Sequence, residues 1–504
     1  MSDAADCLAR ARTAQALWAR RTVAERARAM RPLRLAIAER MDEIVQTISE
    51  EVGKPPMDAL AGDVMVTLEQ LRFYERKAAQ VLRPMRRGKP AFLYSSARFV
   101  EVQEPHGVVL VCAPWNYPLQ LSVVPMATAL FAGNAVLLKC SESAPQTAQT
   151  IAELCVASGL PEGLVQVSWG GPDEAAALLD ARPDFVFFTG SSANGRAVAA
   201  KAASLMVPAA MELGGKDAAL VFDSCDVERA ANGVVYAGFA NAGQACVSAK
   251  RIYVQRGVYE DFLRALLQRV SHLRVGTTIE SDLGSVRLEA VRKRLHEQVA
   301  DALARGAVLR AGSPDDATPM VLTEVPEDAV LLRDESFGPV VCVTPFETET
   351  DAIAMANASE FALSASVWTG DEVQGERAAM QLQCGSCAVN DAIRNIGNPE
   401  TAFGGNKMSG YGRYHGVEGL RTFSRVKSVM TAGRLKKTEV HWFPFSARTY
   451  EQLRGVLQMR HLDGVRRRWK ALLGMWMLLI LFVCATPARA AESLSIVLAR
   501  CCKP

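Results

Sequence analysis

"FANAGQACVSAKR" (Phe239–Arg251) sets Cys246 among Asn, Ala, Gly, Gln, Val and Ser, side chains small enough to leave a sulfur accessible. A cysteine that does covalent chemistry needs a thiolate, a donor for the oxyanion it creates and often a separate base. Two other segments supply those parts. "MELGGKD" carries Glu212 in an otherwise apolar strand followed by two glycines, and burial there would raise the carboxyl toward the range of a useful base. "APWNYP" holds Asn116 between Trp115 and Tyr117 with prolines on either side, a rigid setting for a side-chain amide that donates to developing negative charge. Taken singly, each also reads as a core thiol, a paired carboxylate or a loop amide. Together they make a nucleophile, a base and an oxyanion donor.

The elements that must position these groups are legible on either side of them. Residues 5–85 are rich in Ala, Arg, Leu and Glu with apolar positions three and four apart, which predicts several amphipathic helices. From "ARFVEVQEPHGVVLVCAPWNYP" onward, short apolar strands alternate with helices: "AVLLKCSES" as strand, "TAQTIAELCVASGL" as helix, "LVQVSWG" as strand, "PDEAAALLDA" as helix, "PDFVFFTG" as strand. A second such series starts at "KDAALVF" and runs to "CAVND". The alternation predicts an α/β fold of two doubly wound lobes with parallel sheets covered on both faces. "FVFFTGSSANGRAVA" places Gly190 and Gly195 five apart after a strand and at a helix start, where backbone can approach a pyrophosphate. Lys139 and Glu142 follow another strand, and Glu142 could chelate ribose hydroxyls. "GYGRYHG" imitates a glycine fingerprint but has no preceding strand, and reads as a loop.

Composition excludes several classes. The 504 residues are 49% hydrophobic and carry a net charge of +3. Residues 451–504 hold nine Lys/Arg against three Asp/Glu, which leaves the first 450 residues at −3 and without a basic footprint for nucleic acid. Twelve scattered cysteines do not make a disulfide scaffold, and residues 1–30 read as a charged helix, not a secretory signal, so a reducing cytoplasm is the expected home. Cys384-Gly-Ser-Cys387 is a lone pair without further ligands, and no metal site is expected.

The ordered motifs "APWNYP", "LLKCSE", "FTGSSANG", "ELGGK", "GQAC", "ESFGP", "SASVWTGD" and "FGGNKMSGYG", with 34 positions from Glu212 to Cys246, closely resemble the aldehyde dehydrogenase superfamily over residues 5–430. "GRYHG" and the short N-terminus resemble its class-3-type branch, which handles fatty or aromatic aldehydes, whereas "NAGQACVSAKR" resembles other branches. The resemblance implies that Cys246 adds to an aldehyde, Asn116 and the Cys246 N–H hold the oxyanion, and Glu212 activates water to release a carboxylic acid. It implies that Glu335 binds the nicotinamide ribose and Phe337 contacts the nicotinamide end. Lys139 and Glu142 would hold the adenosine ribose, and Gly190, Ser191 and Gly195 would line the pyrophosphate loop. Glu142 favours NAD over NADP by repelling a 2′-phosphate, with NADP left open. Cys140 and "SSAN" depart from the family's usual proline and "STEV" without removing a functional group.

The same resemblance implies a small β oligomerisation arm and a homodimer or homotetramer. The expected division is a cofactor domain over 1–212 (with part of the arm near 87–106), a catalytic domain over 213–410, a return segment over 411–450 and a tail over 451–504. The expected substrate is a hydrophobic aldehyde; alternatives are a small polar aldehyde or semialdehyde, a CoA-acylating reaction and a silent membrane-tethered scaffold. Trp115, Tyr117 and Phe239 are candidate walls. In the tail, Ala471–Ala485 is a 15-residue apolar run behind a basic cluster, shorter than the ~20 residues that span a bilayer. Membrane contact through 466–490, a packed helix and an incidental extension all remain open for it.

Overall fold

A computed structural model describes residues 4–88, 97–314, 318–432, 439 and 441–463. The expected membrane contact at 466–490 lies outside them. No helix among the described residues is long and apolar enough to cross a membrane. Residues 1–87 and 99–429 form one compact body, and 88–98 with 430–504 a second unit. The described part of that second unit contains one helix, Ala447–His461, capped by the Ser446 hydroxyl, which accepts from the Thr449 N–H.

The body is built on two α/β sheets, as the strand–helix alternation led one to expect. In chain order the strands are β1 (Val108–Cys112), β2 (Ala135–Ser141), β3 (Val165–Gly170), β4 (Phe185–Thr189) and β5 (Ala209–Glu212). There follow β6 (Asp217–Val221), β7 (Ala249–Gln255), β8 (Val308–Ala311), β9 (Met320–Thr323), β10 (Val340–Phe346), β11 (Ser364–Trp368), β12 (Ser386–Val389) and β13 (Gly410–Tyr411). The first sheet has the order β13-β5-β4-β1-β2-β3 and the second β8-β9-β10-β7-β6-β11-β12. Pairing is parallel except at β13 and β8, each antiparallel at an edge. Strands such as Val108–Cys112 and Ala135–Ser141 are buried along their whole length, which is why they read as continuous apolar runs.

In the first sheet the strand order reverses direction between β1 and β4, and the carboxyl ends flanking that switch point are where open α/β sheets hold ligands. Asn116 follows β1, Lys139 ends in β2, Gly190 follows β4 and Glu212 closes β5. One sequence reading is corrected. "GYGRYHG" is not all loop: Gly410–Tyr411 pairs with Glu212 and Met211. A two-residue strand leaves no periodicity to detect. Apart from these sheets, Met85–Arg87, Arg98–Pro105 and Ser424–Thr431 make a separate three-stranded sheet, and the last of these is exposed from Arg425 onward.

Candidate active site

Cys246 sits at the end of a tight reversal. The helix Val227–Phe239 gives way to a 3-10 turn over Ala240–Gly243, in which Asn241 and Ala242 adopt φ of 53° and 54°. Left-handed backbone costs a non-glycine residue about 1–2 kcal/mol, so something must hold it. The Asn241 side-chain amide donates to the Asn116 carbonyl at 3.0 Å and to the Gln244 carbonyl at 3.2 Å, and its N–H donates to Asp58 Oδ2 at 3.0 Å. Asn116 reaches back, its amide donating to the Gln244 carbonyl at 3.0 Å. The candidate nucleophile loop and the candidate oxyanion donor are therefore one hydrogen-bonded unit.

Beneath it lies a buried cation that the sequence reading missed. Lys54 Nζ donates to the Asn116 carbonyl at 2.6 Å, pairs with Asp63 at 3.1 Å and stands 3.9 Å from the Tyr117 ring centroid. Asp63 Oδ1 accepts the N–H groups of Leu119 and Gln120, fixing the start of the buried helix Gln120–Ala132. Nothing in "EVGKPPMDALAGDV" marks Lys54 as buried: its ion-pair partner Asp63 is only nine residues on, but the carbonyl it donates to, on Asn116, is 62 residues away.

One cavity of about 690 Å³ is lined by Asn116, Lys139, Glu142, Gly190, Ser191, Glu212, Cys246, Glu335 and Phe337. Nine of the ten residues singled out from sequence thus share one space. The tenth, Gly195, is set back from the lining, where a Cβ would collide with the Leu213 side chain; it lets the helix Ser192–Ser204 lie close to the segment after β5. Ser191 caps that helix, accepting from the Asn194 N–H at 3.3 Å. Lys139 Nζ donates to the Gly170 carbonyl at 2.7 Å. Of the candidate walls, Trp115 lines the cavity edge-on to Phe337 at 5.8 Å, whereas Tyr117 and Phe239 do not line it.

The loop Glu335–Gly338 is clamped by three buried side chains absent from the sequence reading. Lys216 donates to the Ser336 hydroxyl at 2.7 Å, Ser336 donates to Gln298 at 2.7 Å, and Gln298 donates to the Glu335 carbonyl at 3.1 Å. Lys250 donates to the Gly338 carbonyl at 2.6 Å. Burial lowers Lys216 to about 8 and carries Lys250 further below its ordinary value. The two glycines of "ELGGK" allow the closest approaches: a Cβ on Gly214 would overlap the Glu335 carboxyl, and one on Gly215 the Cys246 carbonyl oxygen.

Electrostatics set the resting protonation. Burial raises Glu212 well above its usual value, opposed by the Arg413 charge, and neither carboxyl oxygen has a hydrogen-bond partner among the described residues. Burial, then the carboxylates Asp217, Glu335 and Glu212, hold the Cys246 thiol far above the ordinary thiol range. Glu335 is raised to about 6, again by burial. Burial thus disfavours charge on both the thiol and Glu212, while Glu335, at about 6, is ionised near neutral pH.

A thiol, a buried unpaired carboxyl and a fixed amide converge beside a nucleotide-sized cleft at a sheet switch point. The family model for the aldehyde dehydrogenase family matches residues 1–429. The chain belongs to the aldehyde dehydrogenase family. Among its relatives is a Methylomonas sp. aldehyde dehydrogenase homologue named 4,4'-diapolycopene aldehyde oxidase, 40% identical over 455 residues, covering 89% of this chain and 86% of that one. A Mycolicibacterium smegmatis relative provisionally named succinate-semialdehyde dehydrogenase [NADP(+)] is 36% identical over 440 residues, covering 85% and 84%. The aldehyde dehydrogenase fold itself recurs in the crystal structure of a Mycobacterium tuberculosis aldehyde dehydrogenase complexed with NAD+, at a TM-score of 0.81 and 34% identity over 86% of this chain and 92% of that one.

Proposed function

We propose that this aldehyde dehydrogenase oxidises a hydrophobic aldehyde to its carboxylic acid with NAD(P), through a covalent intermediate on Cys246. The observation that carries the reading is the shared cavity, in which Cys246, Glu212 and the Asn116 amide meet the residues suited to a dinucleotide. The fit to a dinucleotide rests on the Ser191-capped helix after β4, on Lys139 and Glu142 at the end of β2, and on the Glu335 loop clamped against Gly214. Glu142 favours NAD, with NADP open. When bound, NAD(P) supplies a hydride acceptor.

Cys246 Sγ, once deprotonated, attacks the carbonyl carbon, forming a C–S bond. The resulting oxyanion accepts from the Asn116 amide, which keeps a second N–H free of the Gln244 bond, and from the Cys246 N–H. Loss of hydride leaves a thioester. Glu212 takes a proton from water as the water oxygen bonds to the thioester carbon; the C–S bond breaks, releasing the acid and the thiolate. A retained water-activating carboxyl favours acid formation over acyl transfer to CoA.

Two findings support a hydrophobic aldehyde over a semialdehyde. The cations among the described lining residues are already engaged: Lys139 with the Gly170 carbonyl, Lys201 with Asp180, Arg294 near Asp334 at 3.6 Å. Lys201 and Arg294 thus already face a carboxylate of their own, and Lys139 is held by a backbone carbonyl. The relative named for a polyene aldehyde also shares more identity than the one named for a semialdehyde. The exposed strand Ser424–Thr431, with Val426, Val429 and Met430 uncovered, is an open sheet edge that suits assembly into a homodimer or homotetramer.

The test is cofactor reduction over a panel running from acetaldehyde and succinic semialdehyde to long-chain alkanals and polyene aldehydes, with Cys246→Ala as control. kcat/KM that rises with apolar length and vanishes in the variant supports the reading. A preference for succinic semialdehyde overturns the substrate class, and turnover that survives in Cys246→Ala overturns the nucleophile.

A further inference from the structure

Glu212 closes β5 in a setting that opposes its charge. It is 3% exposed, and neither carboxyl oxygen has a hydrogen-bond partner among the described residues. A carboxyl so placed favours its neutral form, yet a base must be ionised to take a proton from water. The elements packed against it bring one cation. From β4 the register partner is Thr189, a hydroxyl without charge. Cys246 faces it from the cysteine loop, and Arg413 and Tyr414 from the segment after β13.

Hydrogen bonds to neutral groups hold Arg413 in place. Its Nη1 donates to the Gly405 carbonyl at 2.7 Å and to the Gly412 carbonyl at 2.6 Å, and its Nη2 donates to Asn406 Oδ1 at 2.7 Å. Asn406 is itself paired with Ala362 in a short antiparallel bridge. None of these partners carries a charge, so the guanidinium keeps its own uncompensated. Gly404 joins the two sides. A Cβ there would stand 2.7 Å from the Gly412 carbonyl oxygen, 2.8 Å from Glu212 Oε1 and 2.9 Å from Arg413 Cδ. The carboxyl and the arginine side chain thus flank one point, where glycine has no side chain to separate them. The guanidinium donates its hydrogen bonds elsewhere. It therefore acts on the carboxyl through space and leaves both carboxyl oxygens open to water.

We propose that Arg413 is a positioning residue for Glu212: its guanidinium, locked to Gly405, Asn406 and Gly412, supplies the positive charge that keeps Glu212 ionised as a base without pairing with it. The inference rests on the reading of Glu212 as the water-activating base. The direction agrees with the electrostatics, in which burial raises Glu212 and the Arg413 charge lowers it. A base of this kind works above its own pKa, and removing a nearby cation raises that pKa. Loss of the Arg413 charge therefore moves the acid limb of hydrolysis to higher pH.

Two substitutions separate charge from clamp. Arg413→Lys keeps the charge and gives up the forked hydrogen bonds, whereas Arg413→Gln gives up the charge. The readouts are the first-turnover burst of reduced cofactor with NAD and a long-chain aldehyde, and the pH profile of steady-state kcat. For Arg413→Gln the acid limb of kcat is expected to move up by about 1 pH unit, so that kcat falls about tenfold below the limb and recovers above it. The burst is expected to stay within about twofold of wild type, because acylation precedes hydrolysis. For Arg413→Lys the limb is expected to stay close to that of wild type, although both variants lose thermal stability. A limb that does not move in Arg413→Gln overturns the proposal. So does an equal displacement in both variants, which marks a clamp alone. If Arg413→Gln does not fold, Arg413→Lys decides: an unmoved limb despite lower stability upholds the role of charge, and a limb displaced by about 1 unit overturns it. Glu212→Gln in the same assay distinguishes the two readings. A burst without turnover upholds Glu212 as base whatever the Arg413 variants do, whereas wild-type turnover removes the base and this proposal with it.

Discussion

The Asn241 side chain donates to the Asn116 carbonyl at 3.0 Å, while the Asn116 side chain donates to the carbonyl of Gln244, two residues before Cys246. The thiol loop and the amide opposite it are thus cross-braced, and neither can shift alone. Effects that place a donor at a developing oxyanion depend on such fixing, because a displacement of an ångström forfeits much of the benefit.

Asn241→Gly tests the brace without disturbing the backbone, since glycine tolerates φ near 53°. The expected result is a kcat/KM lower by about 10–1,000-fold, in the range seen when an oxyanion donor is lost, with near-wild-type thermal stability. Asn241→Ala should lose the same activity and in addition about 1 kcal/mol of stability from left-handed strain. Steady-state kinetics with urea unfolding separates the two terms.

Lys54 is 1% exposed and its partner Asp63 is fully buried. Lys54→Met leaves Asp63 uncompensated, and breaking a buried pair this way costs about 3–5 kcal/mol. Urea denaturation should show that loss. Lys54→Met combined with Asp63→Leu should recover part of it, because a well-packed apolar pair can replace a buried ion pair.

The thiol's ionisation is open to direct measurement. With the thiol and Glu212 both raised, alkylation of Cys246 by iodoacetamide in cofactor-free enzyme should keep accelerating as pH climbs past 9. Of the three carboxyl groups whose charge raises the thiol, burial holds Asp217 and Glu212 well above their ordinary values. Glu335, at about 6, is ionised at pH 7–8. Removing a negative charge favours thiolate, so Glu335→Gln should move the alkylation profile to lower pH. A shift to higher pH, or none, would contradict the assigned cause.

Gly214→Ala would drive a methyl group into the Glu335 carboxyl. The cofactor dissociation constant, followed by quenching of intrinsic fluorescence, should rise more than about tenfold, equivalent to about 1.4 kcal/mol. Displacement of Glu335 is expected to leave iodoacetamide access to Cys246 intact.

The legible part of this protein was whatever contrasted with its immediate neighbours. Glu212 stood out as a carboxyl in an apolar strand, Asn116 as an amide between aromatics and prolines, Cys246 as a thiol among small residues. The two sheets were legible because buried parallel strands leave uninterrupted apolar runs. The braces were not. Lys54, Asp63 and Asn241 look like surface residues locally, and only chain reversal brings Lys54 beneath Asn116. Lys216, Gln298 and Lys250 were hidden for the same reason, since their targets in Glu335–Gly338 are 37 to 120 residues away. Gly410–Tyr411 escaped because two residues carry no period.

The most direct test of the central claim is to trap the acyl-enzyme. Glu212→Gln enzyme would be mixed with NAD and a long-chain aldehyde, quenched in acid, digested and examined by mass spectrometry. The account requires the mass of the corresponding acyl group on the peptide containing Cys246, at near one equivalent, with one equivalent of reduced cofactor formed. An unmodified Cys246 peptide alongside reduced cofactor, or acylation of a different cysteine, would contradict it.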